Sequence, residues 1–276
     1  MVVTQEQTPI EALLRRERLI VLAGLLLVTT LAWSWLLTGA GTGMSVAAMT
    51  TWQFPPPIHP SMVEDWSATY AILMFVMWWT MMIAMMTPSA APMILLYGRA
   101  YRYEQKLGKL DYAVVPTWDF ALGYLAAWAA FSVVATFSQW GLERLGLIHA
   151  MYMWSIDPAF SATLLIAAGA YQLTPLKNIC LKQCRSPSQF LAENFRPGAL
   201  GAASMGWKHG IYCLGCCWVL MALLFAGGIM NLVWIAGLSI FVLIEKIAPR
   251  GGWIGWAGGV TMIAAGLWIA GRAYLD

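Results

Sequence analysis

His209, Cys213, Cys216 and Cys217 stand in the run HGIYCLGCCW, each three or four residues from another. Residues so spaced share one face of a helix, so a helix through this run carries an imidazole and thiols in a ladder. Cys180 and Cys184, four residues apart, supply two more thiols upstream. Thiolate and thioether sulfur select Cu(I) above other ions, and cysteine pairs at this spacing also suit Zn(II). The same cysteines could instead pack as small apolar residues. A second run of soft donors reads MFVMWWTMMIAMMTPS. In it Met74, Met77, Met81 and Met85 share a stripe, flanked by Met82 and Met86. A methionine stripe is either a row of thioether ligands or flexible core packing. Trp78, Trp79 and Trp218 are expected at the same depth, making a dry, polarizable pocket. Glu245 ends an apolar run beside Lys246. It reads either as a metal or proton ligand or as an interfacial residue paired with that lysine.

Other candidates carry less chemistry. Asp119 and Asn231 open apolar runs, where helix N-terminal stabilisation and capping account for them. Met44, Met49, His59 and Met62 could capture a metal outside, but their spacing is irregular and a solvated loop is expected there; His149 with Met151 and Met153 is an equally weak signal. The chain has no HExxH, no phosphate-binding glycine loop and no GxSxG. No histidine follows a Cys-x2-Cys, so c-type haem attachment is excluded. Catalysis by those routes is not indicated.

Composition says what must hold these residues. The chain of 276 residues is 60% hydrophobic and 11% charged, with 16 Trp and 17 Met. An ordinary globular domain has about 45–50% apolar and about 25% charged residues. Too little polar surface exists to coat a soluble particle. The same arithmetic excludes a disordered chain, a nucleic-acid binder and a disulfide-stapled secreted scaffold. What remains is an integral membrane protein with the lipid bilayer as its partner.

A membrane helix needs about 20 mostly apolar residues. Seven such runs are expected, at about 19–37, 68–97, 120–140, 160–176, 207–226, 229–247 and 253–274, with a tight turn at Gly227 and Gly228. Lysine and arginine mark cytoplasmic loops. Fourteen of the sixteen fall on one side: Arg15, Arg16, Arg18, Arg99, Arg102, Lys106, Lys109, Lys177, Lys182, Arg185, Arg196, Lys208, Lys246 and Arg250. Only Arg144 and Arg272 fall on the other. The expected fold is all-α, one seven-helix transmembrane bundle over residues 1–276, N-terminus cytoplasmic and C-terminus outside. Gly251, Gly255 and Gly259, spaced by four, and the run Ala167, Ala168, Gly169 and Ala170 are expected to be helix-packing faces. All five cysteines then lie in the cytoplasmic half or near the midplane, where the cytosol keeps thiols reduced.

The runs YQLTPLKNICLKQCRSP, HGIYCLGCCWVLMALLFAGGIMN and WWTMMIAMMTPSAAP, with the Glu245–Lys246 pair, resemble one prokaryotic family: predicted metal-binding integral membrane proteins, a domain of unknown function. The resemblance covers about residues 70–250. It implies metal binding at His209, Cys213, Cys216, Cys217, Cys180, Cys184, Met81, Met82, Met85, Met86 and Glu245, and residence in a bacterial inner membrane. It attaches no reaction.

Three functions follow as expectations. The first is Cu(I) handling, with zinc the lesser alternative, by ligand exchange along Cys, His and Met toward a metal-receiving or redox partner protein. The second is a membrane-embedded copper oxidoreductase or monooxygenase acting on an apolar substrate. Against it, neighbouring thiols are themselves oxidised by a strong oxidant. The third is a structural membrane subunit whose Cys and Met merely pack.

Overall fold

The computed structural model describes residues 9–57, 66–110, 115–248 and 251–275. His59 and Met62 lie outside the described residues. The described residues form ten helices: α1 (Pro9–Leu37), α2 (Ala68–Lys106), α3 (Thr117–Arg144), α4 (Pro158–Gln172), α5 (Pro175–Arg185), α6 (Pro187–Asn194), α7 (Gly198–Ala222), α8 (Leu224–Gly227), α9 (Leu232–Ile247) and α10 (Gly251–Leu275). Five segments are long and apolar enough to cross a membrane: Arg18–Leu37, Ala68–Lys106, Thr117–Arg144, Gly198–Gly227 and Gly252–Ala273. The chain is an all-α bundle of the multi-pass membrane type.

The two remaining expected spans differ from the sequence reading. The fourth ends at Gln172 rather than 176, and α5 departs from it at a bend of 64°. The cause is local: the Thr174 hydroxyl accepts from Lys177 N and Pro175 occupies the first turn, so a new helix begins there. Cys180 and Cys184 therefore stand on a helix and not in an irregular loop. The sixth begins at Leu232 rather than 229, because Asn231 caps it through Val233 N. At 16 residues α9 is about 24 Å long, shorter than the ~30 Å hydrocarbon core. Gly228 makes the preceding turn at φ 110°.

Close backbone contact orders the bundle. α3 meets α7 where a β-carbon on Gly206 would lie 1.9 Å from Phe120 O and one on Gly123 2.0 Å from Ala203 O. α4 meets α10 in the same way, a β-carbon on Gly169 falling 2.5 Å from Gly259 O. Small residues allow this approach where lipid supplies no hydrophobic drive between helices.

The long helix α2 is interrupted by Pro88 and Pro92. Proline lacks the N–H that would reach the carbonyl four residues back. At Pro88 that carbonyl is Ala84 O, and Trp33 Nε1 of α1 donates to it at 3.1 Å. The next two carbonyls also take donors from other helices: Ser239 Oγ of α9 to Met85 O at 3.2 Å, and Tyr124 OH of α3 to Met86 O at 3.3 Å. Three helices thus meet α2 at one opened turn.

Candidate metal centre

The seam between α3 and α7 sets Tyr124 against Cys213, with the phenol oxygen 3.2 Å from Sγ. One turn earlier on α7, His209 is enclosed by rings: Phe120 at 6.2 Å, Tyr124 at 5.8 Å and Phe190 of α6 at 5.3 Å between centroids. The imidazole is 3% exposed, and its Nδ1 has no hydrogen-bond partner.

The bend after α4 folds α5 back along α7. A β-carbon on Gly215 would lie 2.8 Å from Cys180 Sγ, so α5 rests on α7 at a residue without a side chain. Tyr171 donates to Gly215 O and ties the end of α4 to the same turn. One turn along α5, Cys184 stands near enough to Cys213 and Cys216 to interact with both. Cys216 and Cys217 reach Cys213 as well. All five cysteines are free. Four thiols from two helices therefore meet around Cys213, with Cys180 beside them.

These thiols are engaged rather than aimed at a common point. Cys216 and Cys217 both donate to Cys213 O, each at 3.0 Å. Accordingly, among the described residues no three His, Cys, Asp or Glu side chains form a ready-made coordination sphere.

α9 contributes two charged residues on its buried face. Ile235, Leu238 and Val242 mark that face, and Glu245 and Lys246 follow Val242 by three and four residues. Their partners differ from the mutual pair that was one of the two readings of Glu245. Glu245 is ion-paired with Lys177 of α5, both fully enclosed, and Gln172 Nε2 lies 3.5 Å from the same oxygen. A β-carbon on Gly255 of α10 would lie 2.5 Å from that carboxylate oxygen, so the glycine makes room for it. Lys246 instead places Nζ 2.9 Å from Cys213 Sγ and 2.9 Å from Ser89 Oγ of α2.

Met81, Met82, Met85 and Met86 are all buried, as are Met74 and Met77. Met86 is the nearest to the thiols in bonding terms, since Tyr124 OH contacts both its carbonyl and Cys213 Sγ. Of the three tryptophans expected beside them only Trp78 is enclosed; Trp79 is half-buried and Trp218 is 45% exposed on the outer face of α7. Asp119 lies in the first turn of α3, as expected for a helix start. Two loop residues are less solvated than expected. Met49 is enclosed, and His149 is buried with Nδ1 accepting from Met151 N and Tyr152 N.

Sequence reasoning gives no sign of Tyr124 or Ser89, and it places Lys177 and Lys246 among the basic loop residues, whereas both are buried in the bundle. For Lys246 a signal existed: the apolar period of α9, continued, sets 245 and 246 inward. For Tyr124 and Ser89 none did, because their place depends on the α3–α7 seam and on the opened turn at Pro88.

A family model described as PpoB2, copper chaperone, matches residues 75–269. No curated protein and no solved structure matches the chain.

Proposed function

Since this chain belongs to the PpoB2 (copper chaperone) family, we propose that it takes up Cu(I) as cargo at Cys184, Cys213, Cys216, Cys217 and His209 and releases it by ligand exchange. The observation that carries this reading is the meeting of thiols from α5 and α7 beside an imidazole nitrogen with no partner. The donor set fits the ion: thiolate sulfur is the soft ligand Cu(I) prefers, and imidazole is acceptable to it. A buried nitrogen left unpaired costs about 1–3 kcal/mol, which a ligand role would repay. To bind, Cys216 and Cys217 turn away from Cys213 O, and each thiol that ligates gives up its proton. Those bonds to a carbonyl are weak, so turning the thiols toward a metal costs little.

Buried thioethers of Met86, Met85, Met82 and Met81 continue along α2 from the thiols and supply weaker sulfur donors in series. Cys180, half-buried on α5, is the first thiol to meet incoming copper. On this reading the chain is one domain that crosses the bilayer seven times, with the basic loops and N-terminus in the cytoplasm of a bacterial cell. Copper moves from the basic end toward the opposite face, to a metal-receiving protein. Glu245 serves by holding Lys177 and is not needed as a ligand.

The test is elemental analysis of protein purified in detergent without added metal or a histidine tag, beside a His209→Ala, Cys213→Ala double variant. Near-stoichiometric copper, lost in the variant, is the expected result. Stoichiometric zinc would replace the ion in this reading, and copper retained by a folded double variant would refute the site.

A further inference from the structure

Lys246 is 9% exposed and, among the described residues, forms no ion pair with a carboxylate. Its neighbour in sequence, Glu245, is committed to Lys177. Yet an ammonium taken out of water needs an opposite charge or a full set of acceptors. What stands against Nζ is Cys213 Sγ at 2.9 Å and Ser89 Oγ at 2.9 Å, with the Tyr124 hydroxyl 3.2 Å from the same sulfur. The group that faces it is the Cys213 sulfur. Lys246 thus sets a cationic side chain against a sulfur of the candidate site, on a different helix from every thiol there.

Such a charge does not treat all metals alike. Its repulsion of a bound ion scales with the ion's charge, so a dication is opposed twice as strongly as a monocation at the same place. The effect is strongest where water is excluded, as it is here. It also sets how many thiolates the enclosed site carries when neutral. With Lys246 present, one Cu(I) and two thiolates sum to zero, and a divalent ion needs a third thiolate. Resting on the copper reading above, we propose that Lys246 is the specificity-determining residue of the centre, a built-in cation that admits Cu(I) and disfavours Zn(II).

The measurement is the ratio of affinities for Ag(I) and Cd(II), two redox-silent ions that stand in for the two charge classes. Each is titrated by chelator competition into the purified full-length chain. Lys246→Leu removes the charge; Lys246→Gln removes it while keeping a donor for Ser89, should the leucine variant fold poorly. Lys246→Arg keeps the charge. The preference for Ag(I) is expected to fall by about tenfold or more in the Leu and Gln variants and to persist in the Arg variant. An unchanged ratio in the Leu and Gln variants, with both ions still bound, overturns the role of Lys246 and leaves the copper site standing. Ag(I) bound equally by wild type and by His209→Ala, Cys213→Ala overturns both.

Discussion

Trp78, Gln139, Glu143 and the half-buried Trp66 form a hydrogen-bonded chain between α2 and α3. Trp78 Nε1 donates to Gln139 Oε1 at 2.8 Å, and Gln139 Nε2 donates to Glu143 Oε1 at 2.9 Å and to Met74 Sδ at 3.4 Å. Trp66 Nε1 donates to Glu143 Oε2 at 2.6 Å. Both N–H groups of the glutamine amide are used. At the thiol end the pattern is the reverse. His209 Nδ1 has no partner, Cys216 and Cys217 share one carbonyl oxygen, and Lys246 leans on a sulfur. The two regions are fifteen residues apart along α3, from Tyr124 to Gln139, or about 22 Å. Both are enclosed and polar. One is closed, its bonding capacity spent on the fold; the other is held open, its capacity in reserve. A closed network specifies structure, and an open one is where a ligand can still be received.

That contrast can be broken from either side. The largest effect is expected at the closed end. Gln139→Leu strands the Trp78 indole N–H and takes a donor away from Glu143, and should cost about 3 kcal/mol of stability. Unfolding in detergent reads this, while copper content stays at the wild-type value. Next is His209→Phe at the open end. The ring fills the same cage and removes an unpaired buried nitrogen, so stability should stay within about 1 kcal/mol of wild type. Copper affinity should nonetheless fall by about tenfold or more. A stability loss there as large as that of Gln139→Leu would mean that the imidazole belongs to the fold. The smallest effect is expected between the regions. Met81→Leu with Met85→Leu conserves volume and should cost under about 1.5 kcal/mol per site. Copper loads normally in this variant, but its release to an external chelator slows by about a few-fold as soft donors are lost.

How much of this was visible beforehand varies along the chain. The ladder on α7 was legible because helical spacing alone aligns 209, 213 and 216, and hydrophobic length alone shows α2, α3 and α7 as long apolar helices. The bend at Thr174-Pro175 was written in plain punctuation, yet the apolar run across it hid the break. That is why α5 was expected as a loop, and why the meeting of Cys184 with Cys213 could not be foreseen. Lys246 and Glu245 illustrate a different limit. Adjacent opposite charges suggest each other, but adjacent residues on a helix point about 100° apart. Glu245 found Lys177, and Lys246 found a thiol. Nothing in one dimension announces that exchange of partners.

The proline at 88 has a consequence that reaches beyond the bend in α2. On a helix of 39 residues, every turn offers the same backbone to its neighbours, and nothing in an unbroken ladder of hydrogen bonds distinguishes one level from the next. Deleting one N–H changes that. Ala84 O becomes an address, a unique height at which α1 registers by Trp33, with α9 and α3 registering one and two carbonyls further along. The vertical alignment of four helices, and with it the level at which Lys246 meets Cys213, is thus encoded by an atom that is not there.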